Sequence, residues 1–457
     1  MRDRQAISLI AAAAIVGIFT AVPGSWDGVG AWSIRAACVG LWVWLAVRLI
    51  SSQLTRPALV APLFLIVTSA LWFYVIIPVV FATVSLSMNI PIVAELTATL
   101  MPNLPQRFVQ SEGEIAILQF VLCGIVAMAL VLSGASNGVR TGRDDADAQP
   151  PLWLVLGLGL GSSALFASLS QVRDALSGQD WAELLRQAQF AALTAFLVAV
   201  GLATMRVAVG APRSLPVAVA LAGAAGALFF SGVVKLVVMA AAVALLLVAL
   251  TRRSRLALVS AVAMPLLILL VGKSFLMSEL DGFAFAMTKV AVSKVVGRQM
   301  ESVDCLTGVI RHQELTPEAS TDALYFAGAV VPRVLWPTKP DLSQSGKTIL
   351  QYCHPILAGN LNTTHSGSGT LLWEPLAFGG LAGATIAQGL VLLILAAMSR
   401  LWINGRDIVA AGVLSLAPWA IDFDQHFALY LANLIKAGLV AGLCIALMSS
   451  AGRKRPQ

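Results

Sequence analysis

The chain has 457 residues, of which 58% are hydrophobic and only 12% charged, and its mean hydropathy is +0.85. Soluble domains carry about 25% charged residues, so a soluble globular fold is excluded. The formal net charge of +7 would suit nucleic acid, but the cations come in pairs between apolar runs, a topology pattern that points away from a nucleic-acid partner.

In hydrocarbon every backbone polar group must be paired within its own segment, so spans are helices or closed barrel strands. The apolar runs here are about 17–25 residues long and do not alternate, which makes them helices. The expected fold class is therefore an all-α polytopic membrane protein.

Arg2 and Arg4 precede an apolar run over about 6–22. Such a start resembles a secretory signal and equally a first membrane helix. Many spans follow and no small-x-small cleavage site is clear, so a helix is the expectation. The second span covers about 32–50 and the third about 59–83, before a mixed loop with Pro102, Pro105 and Arg107. The fourth, about 115–132, leads to Arg140, Arg143 and the run Asp144, Asp145, Asp147. That run reads as a solvated loop before it reads as a metal site.

The fifth span starts near Pro151 and contains Gly157, Gly159 and Gly161. Without a strand before them these glycines are not a phosphate-cradling loop; small residues let membrane helices approach closely. The stretch from Gln171 to Arg186 reads as amphipathic and interfacial. The sixth span is about 189–204. Residues 215–250 are apolar except for Lys235, and at 1.5 Å per residue they overrun a core of roughly 30 Å. They read as two spans with a hinge near 229–232. The ninth is about 256–277, and after a polar segment the last three are about 376–398, 408–421 and 427–448.

This gives about twelve spans, with one large segment between the ninth and tenth. Residues 1–276 hold helices one to nine, 277–370 the large segment, and 371–457 the last three helices and a tail. Every second loop carries at least two arginines or a lysine with them: Arg2/Arg4, Arg48/Arg56, Arg140/Arg143, Arg206/Arg213, Arg252/Arg253/Arg255, Arg400/Arg406 and Arg453/Lys454/Arg455. The positive-inside rule then puts both termini in the cytoplasm and the 277–370 segment outside.

That outward segment holds His312, His354 and His365, together with Lys289, Lys294, Arg298, Arg311, Arg333, Lys339 and Lys347. It also holds Cys305 and Cys353, which an oxidising compartment would let pair. A zinc site from these cysteines with His354 and His365 matches no standard spacing. Cys38, Cys123 and Cys444 lie inside spans, where a thiol is ordinarily inert packing. Ionisable residues within or at the ends of spans mark functional sites. Lys235, Lys273, Asp422, Asp424, His426 and Lys436 are of this kind. They are read either as a charged outer vestibule or as internal ion pairs and snorkelling ends. On a continuous helix Asp422 and His426 would share a face.

The run from Val331 to Pro340, Val-Pro-Arg-Val-Leu-Trp-Pro-Thr-Lys-Pro, resembles the Pro-Arg-x-x-Trp-Pro-x-Lys-Pro segment in the large periplasmic loop of bacterial O-antigen and oligosaccharide repeat-unit polymerases. Glu374, then Phe378-Gly379, then Gly383 resembles the same family's passage into the next helix. Ser231-Gly232-Val-Val-Lys235 is a weaker match, with Lys where the family often has Arg. The departure matters because Arg is planar and bidentate. Related O-antigen ligases share the architecture.

The resemblance implies an inner-membrane glycosyltransferase that joins undecaprenyl-diphosphate-linked repeat units on the periplasmic face. It implies a lipid-linked oligosaccharide as substrate, with a flippase and a chain-length regulator as partners. Arg333, His365 and Glu374 are the expected catalytic residues. Lys235, Arg298, Arg311, Trp336, Lys339, Lys347, Asp422, Asp424 and His426 are expected to bind diphosphate or glycan. The leaving diphosphate needs fixed cations, so no cofactor and no metal are expected. The alternatives are an O-antigen ligase, or a transporter or flippase of lipid-linked glycan. A transporter would use repeated halves and charges spread through the midplane, and no internal repeat is seen.

Overall fold

The structure is a computed structural model that describes residues 28–52, 54, 56–81, 112–134, 150–175, 181–230, 233–267, 298–311, 331, 336, 338 and 370–453. The described chain is helical. In order the helices are α1 Gly28–Ser51, α2 Pro62–Leu71, α3 Glu112–Ser133, α4 Leu152–Ala175, α5 Trp181–Ala208 and α6 Ser214–Phe230. They continue as α7 Val234–Arg252, α8 Arg255–Leu267, α9 Arg298–Arg311, α10 Trp373–Asn404, α11 Asp407–Ala420 and α12 Phe427–Arg453. A π turn over Trp72–Ile76 carries α2 onward.

Among the described residues eight helices are long and apolar enough to cross a membrane, so the protein is an all-α, multi-spanning membrane protein. They lie on α1, α2, α3, α4, α5, α7, α10 and α12. The expected seventh and eleventh spans correspond to the shorter apolar helices Ser214–Phe229 and Asp407–Ala420. The expected ninth is described as far as Leu267, and the expected first lies outside the described residues. Helix α6 ends at Phe230 and α7 starts at Val234 after a non-helical Val233; residues 231 and 232 of the expected hinge lie outside the described residues.

The helices pack where small residues let backbones meet. A Cβ on Gly201 of α5 would stand 2.6 Å from the Ala411 carbonyl oxygen of α11, and one on Gly124 of α3 would stand 2.2 Å from Val67 of α2. Of the three glycines in α4, Gly159 meets Leu221 of α6, whereas Gly157 and Gly161 face open space. Only one of that trio serves a helix contact.

Two contacts fix the direction of α5 against α11. Phe190 packs on Trp419 with ring centroids 4.6 Å apart, and Gly201 meets Ala411. The pair is antiparallel, so the end of α5 and the start of α11 lie together. The arginine turns collect at that end. Arg56 donates to the carbonyls of Trp402 and Gly405 at 2.8 Å each and pairs with Asp407. Arg206 donates to the Pro150 carbonyl, and Arg252 to the Val207 carbonyl at 2.5 Å. The starts of α3, α7, α10 and α12 lie at the opposite end.

The Ala411 carbonyl belongs to a helix and cannot yield to a new methyl group. Gly201→Val should cost about 1–3 kcal/mol of stability, read as a lower thermal midpoint in detergent. Gly223→Val, at a position with nothing within 4 Å, should leave the midpoint nearly unchanged.

Candidate functional site at the end opposite the arginine turns

Helix α11 stops at Ala420 and α12 starts at Phe427. The six residues between them form a turn that is pinned from three sides. Phe423 is buried between Tyr74 and Phe120, with ring centroids 5.1 Å from each. Its carbonyl accepts the Leu371 N–H at 3.1 Å, and the Tyr430 hydroxyl donates to the Ala420 carbonyl at 2.8 Å. Asp422 and His426 therefore do not share a helical face: the expected i, i+4 relation needs a continuous helix, and the turn interrupts it.

Two carboxylates of this turn meet one lysine from the start of α7. Lys235 pairs with Asp422, and its Nζ lies 3.5 Å from Asp424 Oδ2. The aspartate side chains are 6% and 12% exposed, while that of Lys235 is 45% exposed. The pair is thus anchored on its acidic side and open on its basic side. Within this contact one cation meets two anions. Of the two readings weighed from sequence, the ion pair is present for Lys235 with Asp422 and Asp424.

Behind Asp422 stands a chain of amides. Gln425 Nε2 donates to Asp422 Oδ2, and Asn433 Nδ2 of α12 donates to Gln425 Oε1 at 2.9 Å. Sequence reasoning missed both amides, because neither is charged. Their spacing of eight residues across a helix start was the available signal.

Glu374 opens α10 and is fully buried. Its Oε2 accepts the Ala428 N–H at 2.8 Å, which satisfies one of the open donors in the first turn of α12 and sets a negative charge against the positive end of that helix. Thr370 ahead of it sits at φ +68° and its hydroxyl accepts the Leu372 N–H at 3.3 Å. Helix α10 then breaks at Gly380, whose φ of 57° and ψ of −154° suit glycine alone. Gly383 completes the bend, because a Cβ there would lie 2.6 Å from the Pro375 carbonyl oxygen.

Helix α9 is the described helix of the 277–370 segment. Thr307 Oγ1 accepts the Gly113 N–H at 3.0 Å, which places α9 against the start of α3 and so at this same end. Arg298 and Arg311 are its first and last residues. Cys305 on α9 is buried and disulfide-bonded, whereas Cys38, Cys123 and Cys444 are free. Trp336 is half-buried. Arg333, Lys339, Lys347, Cys353 and His365 lie outside the described residues.

A second ionic contact was not singled out from sequence. Arg35 of α1 grips Glu114 of α3 with both prongs, Nε to Oε1 at 2.5 Å and Nη2 to Oε2 at 2.6 Å, and the side chains are 6% and 3% exposed. The ionisable-residue-in-a-span signal applies to Arg35 as well, but a single Arg in a long apolar run is easily passed over. Among the described residues no group of three or more His, Cys, Asp or Glu is arranged to hold a metal ion.

Compared with family models, with curated proteins and with solved structures, the chain matches none.

Glu374→Ala removes the acceptor for a buried N–H and should cost about 1–3 kcal/mol. Glu374→Gln keeps an acceptor oxygen and should lose less. Thermal midpoints of the purified variants check the order.

Proposed function

We propose that the chain is a glycosyltransferase of the bacterial inner membrane that polymerises undecaprenyl-diphosphate-linked oligosaccharide repeat units on the outer membrane face. The observation that carries this reading is the Lys235–Asp422–Asp424 cluster at the end away from the arginine turns, the same end at which the helix Arg298–Arg311 of the polar segment packs on α3. The Pro-Arg-x-x-Trp-Pro-x-Lys-Pro run from 332 to 340 supplies the resemblance. The positive-inside rule supports an arginine end in the cytoplasm, with both termini there.

In the reaction a sugar hydroxyl of one unit attacks the anomeric carbon of another. A carbon–oxygen bond forms, the bond to the lipid diphosphate breaks, and the hydroxyl proton passes to a base. His365 is assigned as that base. Arg333 is assigned to the departing diphosphate, since its fork pairs two oxygens at once, with Arg298, Arg311, Lys339 and Lys347 adding positive field. Trp336 offers a ring face or an interface anchor.

The carboxylates of Asp422 and Asp424, the Lys235 ammonium and His426 are assigned to the hydroxyls of the glycan, because carboxylates accept from O–H groups and an ammonium donates to them. Glu374, engaged with α12, is assigned to hold the turn in place instead of moving a proton. Cys305 with Cys353 is assigned as a disulfide tying the outer segment to α9.

Arg333→Ala and His365→Ala, each expressed in a strain lacking the native gene, should abolish long glycan chains on a gel while single repeat units still reach the outer face. Removal of the base should slow chain growth by about 10²–10⁴-fold. Disappearance of single units as well would make the protein a carrier instead. An impermeant thiol reagent should label neither Cys305 nor Cys353 until a reductant is added; free labelling of both without reductant overturns the disulfide.

A further inference from the structure

An ionised carboxylate accepts hydrogen bonds and donates none. Asp422 therefore requires the nitrogen of the Gln425 amide to face it, as it does. The Gln425 oxygen then points away and requires a donor, and Asn433 Nδ2 supplies it at 2.9 Å. The other oxygen of the same carboxylate, Oδ1, is paired with the Lys235 ammonium. An amide donor and an ammonium charge thus meet the two oxygens of Asp422, and each amide has one orientation that fits.

We propose that Gln425 and Asn433 are positioning residues: they hold Asp422 so that its carboxylate keeps the Lys235 ammonium at the outer mouth, where it meets a sugar hydroxyl of the lipid-linked glycan. This rests on the proposed polymerase activity for the identity of the ligand. The relay itself is independent of that activity. Its anchor is α12, whose first turn is fixed by Glu374 and Tyr430. Its load is the start of α7, whose N-cap Val233 is non-helical and makes no side-chain cap. Asp424, at 3.5 Å, is the second and looser hold on the lysine.

The proposal makes a counter-intuitive ordering. Asn433→Asp preserves shape but turns a donor into an acceptor. The Gln425 amide then reverses and presents its oxygen to Asp422, which is repelled. Asn433→Leu changes shape but merely frees the amide. A packing role for Asn433 predicts that Leu is the worse substitution; the relay predicts that Asp is.

The full chain in lipid nanodiscs is treated with a membrane-impermeant amine acylating reagent, and modification of Lys235 is followed by peptide mass spectrometry. A lysine whose nitrogen is engaged by two carboxylates must leave them before it can react, so it acylates slowly. Asn433→Asp should speed its modification by about threefold or more, the size expected from coupling between groups in contact, with Asn433→Leu between it and the wild type. Gln425→Glu, which puts an acceptor against Asp422 directly, should act like Asn433→Asp and tests the idea even if one variant fails to fold.

Adding Gln425→Met to Asn433→Asp should remove the extra effect of the latter. With polymerisation as readout, Asn433→Asp should raise KM for the lipid-linked substrate and leave kcat nearly unchanged. Labelling unchanged by Asn433→Asp, or faster with Asn433→Leu, overturns the relay. A wild-type chain that forms no polymer overturns the polymerase while the labelling order still judges the relay.

Discussion

A charge inside hydrocarbon is tolerated only when it is paired or can reach an interface. That constraint organises this molecule. Arginines gather where α1, α5, α7 and α10 end, and there they serve as caps: Arg56 alone gathers the carbonyls of Trp402 and Gly405 and the carboxylate of Asp407. One buried cation away from that end, Arg35, is gripped on both prongs by Glu114. With charges sorted this way the bundle has two chemically different ends, and among the described residues only one of them presents carboxylates beside a half-exposed lysine.

The same end is where the backbone departs from regular helix. Val233 ahead of α7 is non-helical, α10 kinks at Gly380, and a six-residue turn separates α11 from α12. Irregular backbone at membrane depth is sustained where protein buries it or where it lines a polar cavity. Here Phe423 is buried in the core as a plug, the Leu371 N–H bridges to the turn, and Glu374 closes the start of α12. A polar turn placed on such support is rigid. Rigidity is what lets two aspartates keep one lysine in a fixed place.

Glu374 illustrates how a motif can mark structure as much as chemistry. From sequence it stands in a spacing of Glu, Phe-Gly and Gly and is expected among the catalytic residues. In the fold it is fully buried on the first turn of α12, and the glycines after it allow a bend and a close backbone approach. Gly157 and Gly161 give the opposite lesson: glycines that suggest helix contacts face open space.

Composition and apolar run length by themselves determined the class, an all-α membrane protein, because lipid admits few ways to satisfy a backbone and those leave a plain signature in hydropathy. The alternation of arginine pairs also marked which helix ends belong together, since loop charge responds to the membrane and not to packing. Lys235, Asp422 and Asp424 were visible as costly charges near span ends. What only the tertiary structure decided was their company. Lys235 and Asp422 are 187 residues apart in the chain, so no local periodicity could pair them. Gln425 and Asn433 carry no charge to betray them, and Arg35 meets Glu114 across a separation of 79 residues. Partnerships of this kind come from how helices cross and where they break, and that is set by the summed fit of many side chains, which no single stretch of sequence contains.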